Sequence, residues 1–120
     1  TEVYVADTMG EMGIWYSLVQ IAFIGGSLVE RGGHNPLEAA QLGVISLHGP
    51  HIFNTSAKYR QLQSEGVSYE VNNAEDIVKR FNSLSFEDIE VKAQKAKNIS
   101  EVDMTAVEEG VKVIKKALTI

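Results

Sequence analysis

The chain has no cysteine among its 120 residues. That excludes disulfides, thiolate nucleophiles and zinc–thiolate sites, and is compatible with a reducing compartment. It has no apolar run near 20 residues and none of the marks of a signal peptide, so the sequence offers no membrane-spanning helix. It is short of base: 11 Lys and Arg against 16 Asp and Glu leave a formal charge of −5. Without a basic face to neutralise many phosphates, nucleic acid is not an expected partner. A small anion held by backbone amides stays open. Neither the G-x-G-x-x-G pattern nor a P-loop occurs, and there are no internal repeats or low-complexity tracts.

What is present has the composition of one globular domain, with 44% hydrophobic and 22% charged residues. The first residues, "TEVYVADTMG", begin at once with a strand-like alternation and without Met, which suggests a chain cut from something longer. Strands are expected over 2–6, 21–26, 44–49 and 67–71, and helices over 14–20, 36–43, 55–65 and about 74–84. Asn35 suits a helix N-cap and Pro36 the first helical position; Gly43 and Gly66 suit C-terminal stops, and Asn73 suits a further cap. Two amphipathic helices, 86–98 and 101–118, follow. Ile89, Ala93 and Ala96 share a face of the first; Val107, Val111, Ile114 and Leu118 share a face of the second. Alternating strands and helices predict an α/β, Rossmann-like domain with a mostly parallel sheet and flanking helices.

Ligands of such sheets sit beyond the carboxyl ends of the strands. That rule gathers "DTMGEMG", "GGSLVERGGHN" and "GPHIFN" on one rim. Gly25-Gly26 followed by Ser27, then Gly32-Gly33, reads either as a tight turn or as a backbone held open for a phosphate that also faces a helix N-terminus. Arg31, in the same loop, is the side chain best suited to pair with an anion; the alternative is a solvated arginine. Asn35 and Glu38 read equally as a capping box and as a rim on which Glu38 takes a sugar diol. Asp7 with Glu11 suggests an acid/base pair, or helix capping by Asp7 or Thr8. His34, His48 and His51 lack metal-ligand spacing and a matching acidic set, so neither metal nor other cofactor is expected. Trp15 and Tyr16 are expected to pack.

Residues 7–54, "DTMGEMGIWYSLVQIAFIGGSLVERGGHNPLEAAQLGVISLHGPHIFN", resemble the C-terminal half of the Kdo transferases of lipopolysaccharide synthesis. The family pattern runs D-T-M-G-E-L, then A-F-[VI]-G-G-S-L-V, G-G-H-N-P-L-E-P-A and G-P-H…N. Glu30 stands where the family has proline, and Ala39-Ala40 stands where it often has Pro-Ala. Residues 55–120 carry little motif signal. The resemblance implies a partial GT-B C-terminal domain over residues 1–120, the part of an inverting glycosyltransferase that binds CMP-Kdo. The acceptor, lipid A precursor, and the catalytic base would belong to an N-terminal domain, so the fragment alone is expected to be inactive.

On matching positions the resemblance places Gly25, Gly26 and Ser27 beside the donor phosphate and sugar. Gly33, His34 and Asn35 would present the helix N-terminus to the phosphate, and Glu38 would hold the ribose diol. Met9, Gly10 and Glu11 would wall the cytidine or sugar. His51 and Asn54 match the pattern without an assigned role. The resemblance also implies a bacterial cytoplasmic enzyme, peripheral to or anchored at the inner membrane. Fewer strands than a whole domain would leave an exposed sheet edge that invites a homodimer. Two alternatives are another GT-B nucleotide-sugar enzyme and a non-catalytic oligomerising piece.

Overall fold

A computed structural model describes residues 3–6, 10–53 and 55–118. Asp7, Thr8, Met9 and Asn54, named above, lie outside the described residues, as do the side chains of 103–105. The elements run α1 (Met12–Leu18), β1 (Ile21–Ile24), α2 (Leu37–Gln41), β2 (Ile45–His48), α3 (Ser56–Ser64), β3 (Ser68–Glu70), α4 (Ala74–Ser83) and α5 (Phe86–Leu118). The three strands form one parallel sheet in the order β1-β2-β3. Ile21 pairs with Ile45, and Ser46 with Ser68. The central strand β2 is buried at every position although its sequence alternates apolar and polar, because Ser46 bonds the Ser68 hydroxyl and His48 bonds Gly49 and Gln63.

Two clusters make the core. Ile24, Ala39, Val44 and Tyr59 pack together, with Tyr16, Ala22 and Ile52 against them. Ala40, Leu62, Val67 and Ala96 form the second, joined by Ile99. The alanines are functional in packing terms: Ala39, Ala40 and Ala96 are almost fully buried, and their small side chains let α2 close on the sheet and on α5.

The helix stops read from the sequence operate through hydrogen bonds. At the end of α2, the Val44 amide donates to the Ala39 carbonyl and the Gly43 amide to the Ala40 carbonyl, at 2.9 and 3.0 Å. At the end of α3, Val67 donates to Leu62 and Gly66 to Gln63, both at 3.0 Å. Both are Schellman closures with a left-handed glycine, φ +74° at Gly43 and +71° at Gly66. Each turns the chain directly into the next strand. Asn73 caps α4 by accepting the Asp76 amide, and Asp76 returns the bond to the Asn72 amide, each at 2.9 Å. Ser85 and Asp88 form a reciprocal pair of the same kind at the start of α5. These amide and hydroxyl bonds from Ser85 hold the Asp88 carboxyl below its usual range.

Two expectations fail. Residues 3–6 form no strand; Val3, Tyr4 and Val5 are exposed, and the Tyr4 ring instead lies 5.4 Å from that of Trp15. An alternating pattern becomes a strand only where a neighbour supplies its hydrogen bonds, and no strand beside it does so among the described residues. The sheet therefore has three strands, not four. The two C-terminal helices are one, Phe86–Leu118. Asn98, Ile99 and Ser100 contain no breaker, and the Ser100 hydroxyl is satisfied inside the helix by the Lys97 carbonyl at 2.8 Å. The stripe Val107, Val111, Ile114 and Leu118 is exposed rather than packed.

Substituting Gly43→Ala forces an L side chain into the left-handed region and brings its Cβ to 3.3 Å from the Ala93 carbonyl of α5. The variant is expected to lose about 1–2 kcal/mol of unfolding free energy, measured by urea titration.

Candidate functional site

The loops after β1 and β2 lie side by side on the carboxyl rim of the sheet. Ser27 joins them. Its side chain is fully buried. The hydroxyl donates to the Ile24 carbonyl at 2.7 Å and accepts the Gly49 amide at 2.8 Å. Its own carbonyl accepts the His51 amide at 2.9 Å. Gly49 sits so close that a Cβ there would collide with the Ser27 carbonyl and stand 2.7 Å from the Leu28 nitrogen. Gly49 read from sequence as a strand stop; its greater role, letting one loop lie on the other, had no local signal.

The glycine loop owes its course to left-handed residues, Gly26 at φ +74°, Gly32 at +86° and Gly33 at +75°. The Gly33 amide closes onto the Gly26 carbonyl at 2.9 Å. His34 folds its ring back over Gly26, where an added Cβ would meet its Cδ2 at 3.3 Å. Gly25 is exposed with open space around it. Arg31 is exposed, at a tight turn closed by its amide to the Val29 carbonyl at 2.7 Å. Ser27, in contrast, turns its hydroxyl inward, and acts as the tie between loops.

The Asn35 side chain accepts the Leu37 amide at 2.9 Å. The helix starts one residue later than expected, with Pro36 in the capping position. Glu38 makes no reciprocal bond to Asn35, so the capping box is half formed among the described residues. The Glu38 carboxylate is exposed and points toward α1 instead: Oε1 lies 3.9 Å from where a Cβ on Gly13 would be. Burial, and secondarily the Glu38 charge, push the Tyr16 hydroxyl above its ordinary pKa. Gly10 and Glu11 lead into the same turn of α1, where the Glu11 carbonyl accepts the Ile14 and Trp15 amides at 3.0 and 3.2 Å. The structure thus brings the entry of α1 to Glu38, and the glycine loop to the β2–α3 loop.

Behind the rim, sequence reasoning did not single out Tyr59 or Gln63, and weighed His48 only as a metal ligand. His48 is fully buried. Its Nδ1–H donates to the Gly49 carbonyl at 2.7 Å, and Nε2 takes the Gln63 amide nitrogen at 3.2 Å. Those partners fix one neutral tautomer. Tyr59 lies 4.3 Å from the His48 ring, and its hydroxyl donates to the His34 carbonyl at 2.6 Å. Two buried polar atoms on rim elements, Trp15 Nε1 and Thr55 Oγ1, have no hydrogen-bond partner among the described residues. Nearby, a cleft of about 470 Å3 opens at the ends of β2 and β3 and includes His51, Ser56, Arg60 and Glu70.

A Rossmann-like parallel sheet with this glycine loop on its carboxyl rim defines an α/β domain of the GT-B type. Within that class the chain corresponds to part of the C-terminal domain of the 3-deoxy-D-manno-octulosonic acid (Kdo) transferases. The Haemophilus influenzae enzyme of that name is 41% identical over 80 residues, covering 67% of this chain and 19% of that protein. The Rickettsia bellii enzyme is 32% identical over 120 residues, covering 99% of this chain and 28% of that protein. The chain therefore spans well under a third of the length of these relatives. The crystal structure of the C-terminal CMP-Kdo binding domain of WaaA from Acinetobacter baumannii matches with a TM-score of 0.70 at 35% identity. That match covers 80% of this chain and 53% of the WaaA domain. No protein-family model matches the chain. Among the described residues, no helix is long and apolar enough to cross a membrane.

Burial holds the His48 imidazole below its ordinary pKa of 6.5, more than the Gly49 bond and Glu70 raise it. The unfolded chain takes up a proton near 6.5, and the folded chain only at lower pH. Neutral His48 thus contributes stability fully present above about pH 6.5 and lost as pH falls through the lowered folded value. Unfolding free energy measured from pH 7.5 to 5 is expected to fall, and His48→Gln to flatten that slope. Gly49→Ala, which has no room, is expected to cost about 2–3 kcal/mol in the same urea assay.

Proposed function

We propose that residues 1–120 act as the donor-binding domain of a Kdo transferase, holding the nucleotide sugar CMP-Kdo on the carboxyl rim of the sheet. The observation that carries this is the match, at 35% identity and a TM-score of 0.70, to a solved domain that binds CMP-Kdo. The geometry is compatible with it. Gly25 and Gly26 allow a phosphate to approach the backbone, and the start of α2 supplies amides and a favourable dipole. Gly33, His34 and Asn35 line that approach, with Arg31 as a countercharge. Glu38, exposed on the first turn of α2, accepts two hydroxyls of the ribose. Gly10 and Glu11 form the far wall, toward the cytidine or sugar. Ser27 contributes by fixing the loop rather than through its hydroxyl.

Transfer with inversion needs a base to deprotonate the acceptor hydroxyl as the anomeric bond to the cytidylate breaks. We assign that base, and the surface for lipid A precursor, to a second domain, so this chain alone binds donor without transferring sugar. The assembled enzyme would work at the cytoplasmic face of the inner membrane. The edge of β1, which pairs with no further strand among the described residues, is where a second copy would add to the sheet.

Nuclear magnetic resonance titration of the 15N-labelled chain tests the donor site. CMP is expected to shift amides within residues 25–38 more strongly than UMP does. Glu38→Gln is expected to weaken CMP binding by roughly tenfold, the scale of a charged hydrogen bond. A well-dispersed spectrum that CMP leaves unchanged would overturn the proposal, and a preference for UMP would point to a different nucleotide-sugar enzyme.

A further inference from the structure

The glycine loop runs from Gly25 to Pro36 with three left-handed glycines, so its backbone has little intrinsic preference for one course. Its first half is tied by Ser27 and by the Gly33–Gly26 bond. Beyond Gly33, the Asn35 side chain takes the Leu37 amide of α2, and from α3 the Tyr59 hydroxyl donates to the His34 carbonyl at 2.6 Å. Tyr59 belongs to α3, is fully buried, and packs with Ile24, Ala39 and Val44.

The His34 carbonyl and the Asn35 N–H belong to one planar peptide unit. In a trans peptide they point in opposite directions. A donor from the core that captures the carbonyl therefore turns the Asn35 N–H outward, toward the rim. Burial raises the pKa of the Tyr59 hydroxyl far above its ordinary value, with Tyr16 adding to the shift, so it remains a donor at any working pH.

We infer that Tyr59 is a positioning residue for the nucleotide site: from beneath the loop, it orients the His34–Asn35 peptide so that its N–H faces the bound phosphate. This deepens the donor-site proposal and rests on it. His48, whose ring lies tilted against that of Tyr59 and which is bonded to Gly49 and Gln63, gives the neighbouring loop its own support from α3. Both rim loops thus take their orientation from one helix.

The test compares the chain with Tyr59→Phe, which keeps the ring in the core and removes only the hydroxyl. A second variant, Val67→Ala, truncates the other core cluster and controls for general loss of stability. CMP affinity is measured well below the melting temperature, together with 15N spectra of the ligand-free proteins. Tyr59→Phe is expected to move the His34 and Asn35 amide resonances and to weaken CMP binding by roughly fivefold. Val67→Ala is expected to leave both at their wild-type values. A Tyr59→Phe protein that binds CMP as the wild type does, or whose Asn35 amide does not move, overturns the inference and leaves the donor site standing. A folded wild-type chain that binds no CMP overturns the donor site and this inference together.

Discussion

The hydroxyl of Ser27 lies between two loops that come from different strands, giving a hydrogen bond to Ile24 and taking one from Gly49. Much of the rim depends on that contact. It requires a residue without a side chain at 49, because the two backbones pass within van der Waals range. It fixes where β1 ends, so that Gly25 and Gly26 emerge at the edge of the sheet. It holds His51 against the glycine loop, where the His51 carbonyl would stand 3.3 Å from a Cβ on Gly33. A buried, satisfied hydroxyl is a stringent device, since losing one partner leaves the other desolvated.

The electrostatics of the rim follow a related economy. The chain carries a formal charge of −5, an unpromising background for a ligand that is itself anionic. In the proposed complex the α2 entry would meet this with backbone amides, which act at short range and are little affected by net charge. Glu38 then faces neutral hydroxyls in the proposed complex rather than the phosphate. Its placement toward α1 keeps a fixed negative charge off the glycine loop itself.

Much of this was legible from residue order. Gly43 and Gly66 announced their closures, and Asn73 its cap, because each acts within a few residues of itself. The glycine loop is proposed as a site because its punctuation exceeds what a turn needs, and because the motif between residues 7 and 54 resembles a known family. The failures have a common cause. Whether 3–6 becomes a strand depends on a neighbour, not on its own alternation. Whether 98–101 breaks a helix depends on the absence of a competing structure. The supports of the site, Tyr59, His48 and Gln63, come from α3 and the end of β2, where 25 residues separate Tyr59 from the carbonyl it holds. No spacing rule reaches that far. Ser27 was singled out for its place in the motif, yet its hydroxyl faces the interior, a distinction that only the fold draws.

The long helix α5 is continuous in geometry and divided in energetics. Its first half is anchored: Ala96 is fully buried, Ala93 and Lys97 abut Gly43, and the Lys92 ammonium binds the Gly66 carbonyl at 2.9 Å. Beyond Val102 the exposed valines and Ile114 have no core beneath them, and Gly110 weakens the backbone there by about 1 kcal/mol relative to alanine. That half is helical through local propensity rather than burial. Opening of the two halves is therefore uncoupled: the distal turns unwind and reform on their own, while amides near Ala96 become accessible only when the sheet itself comes apart.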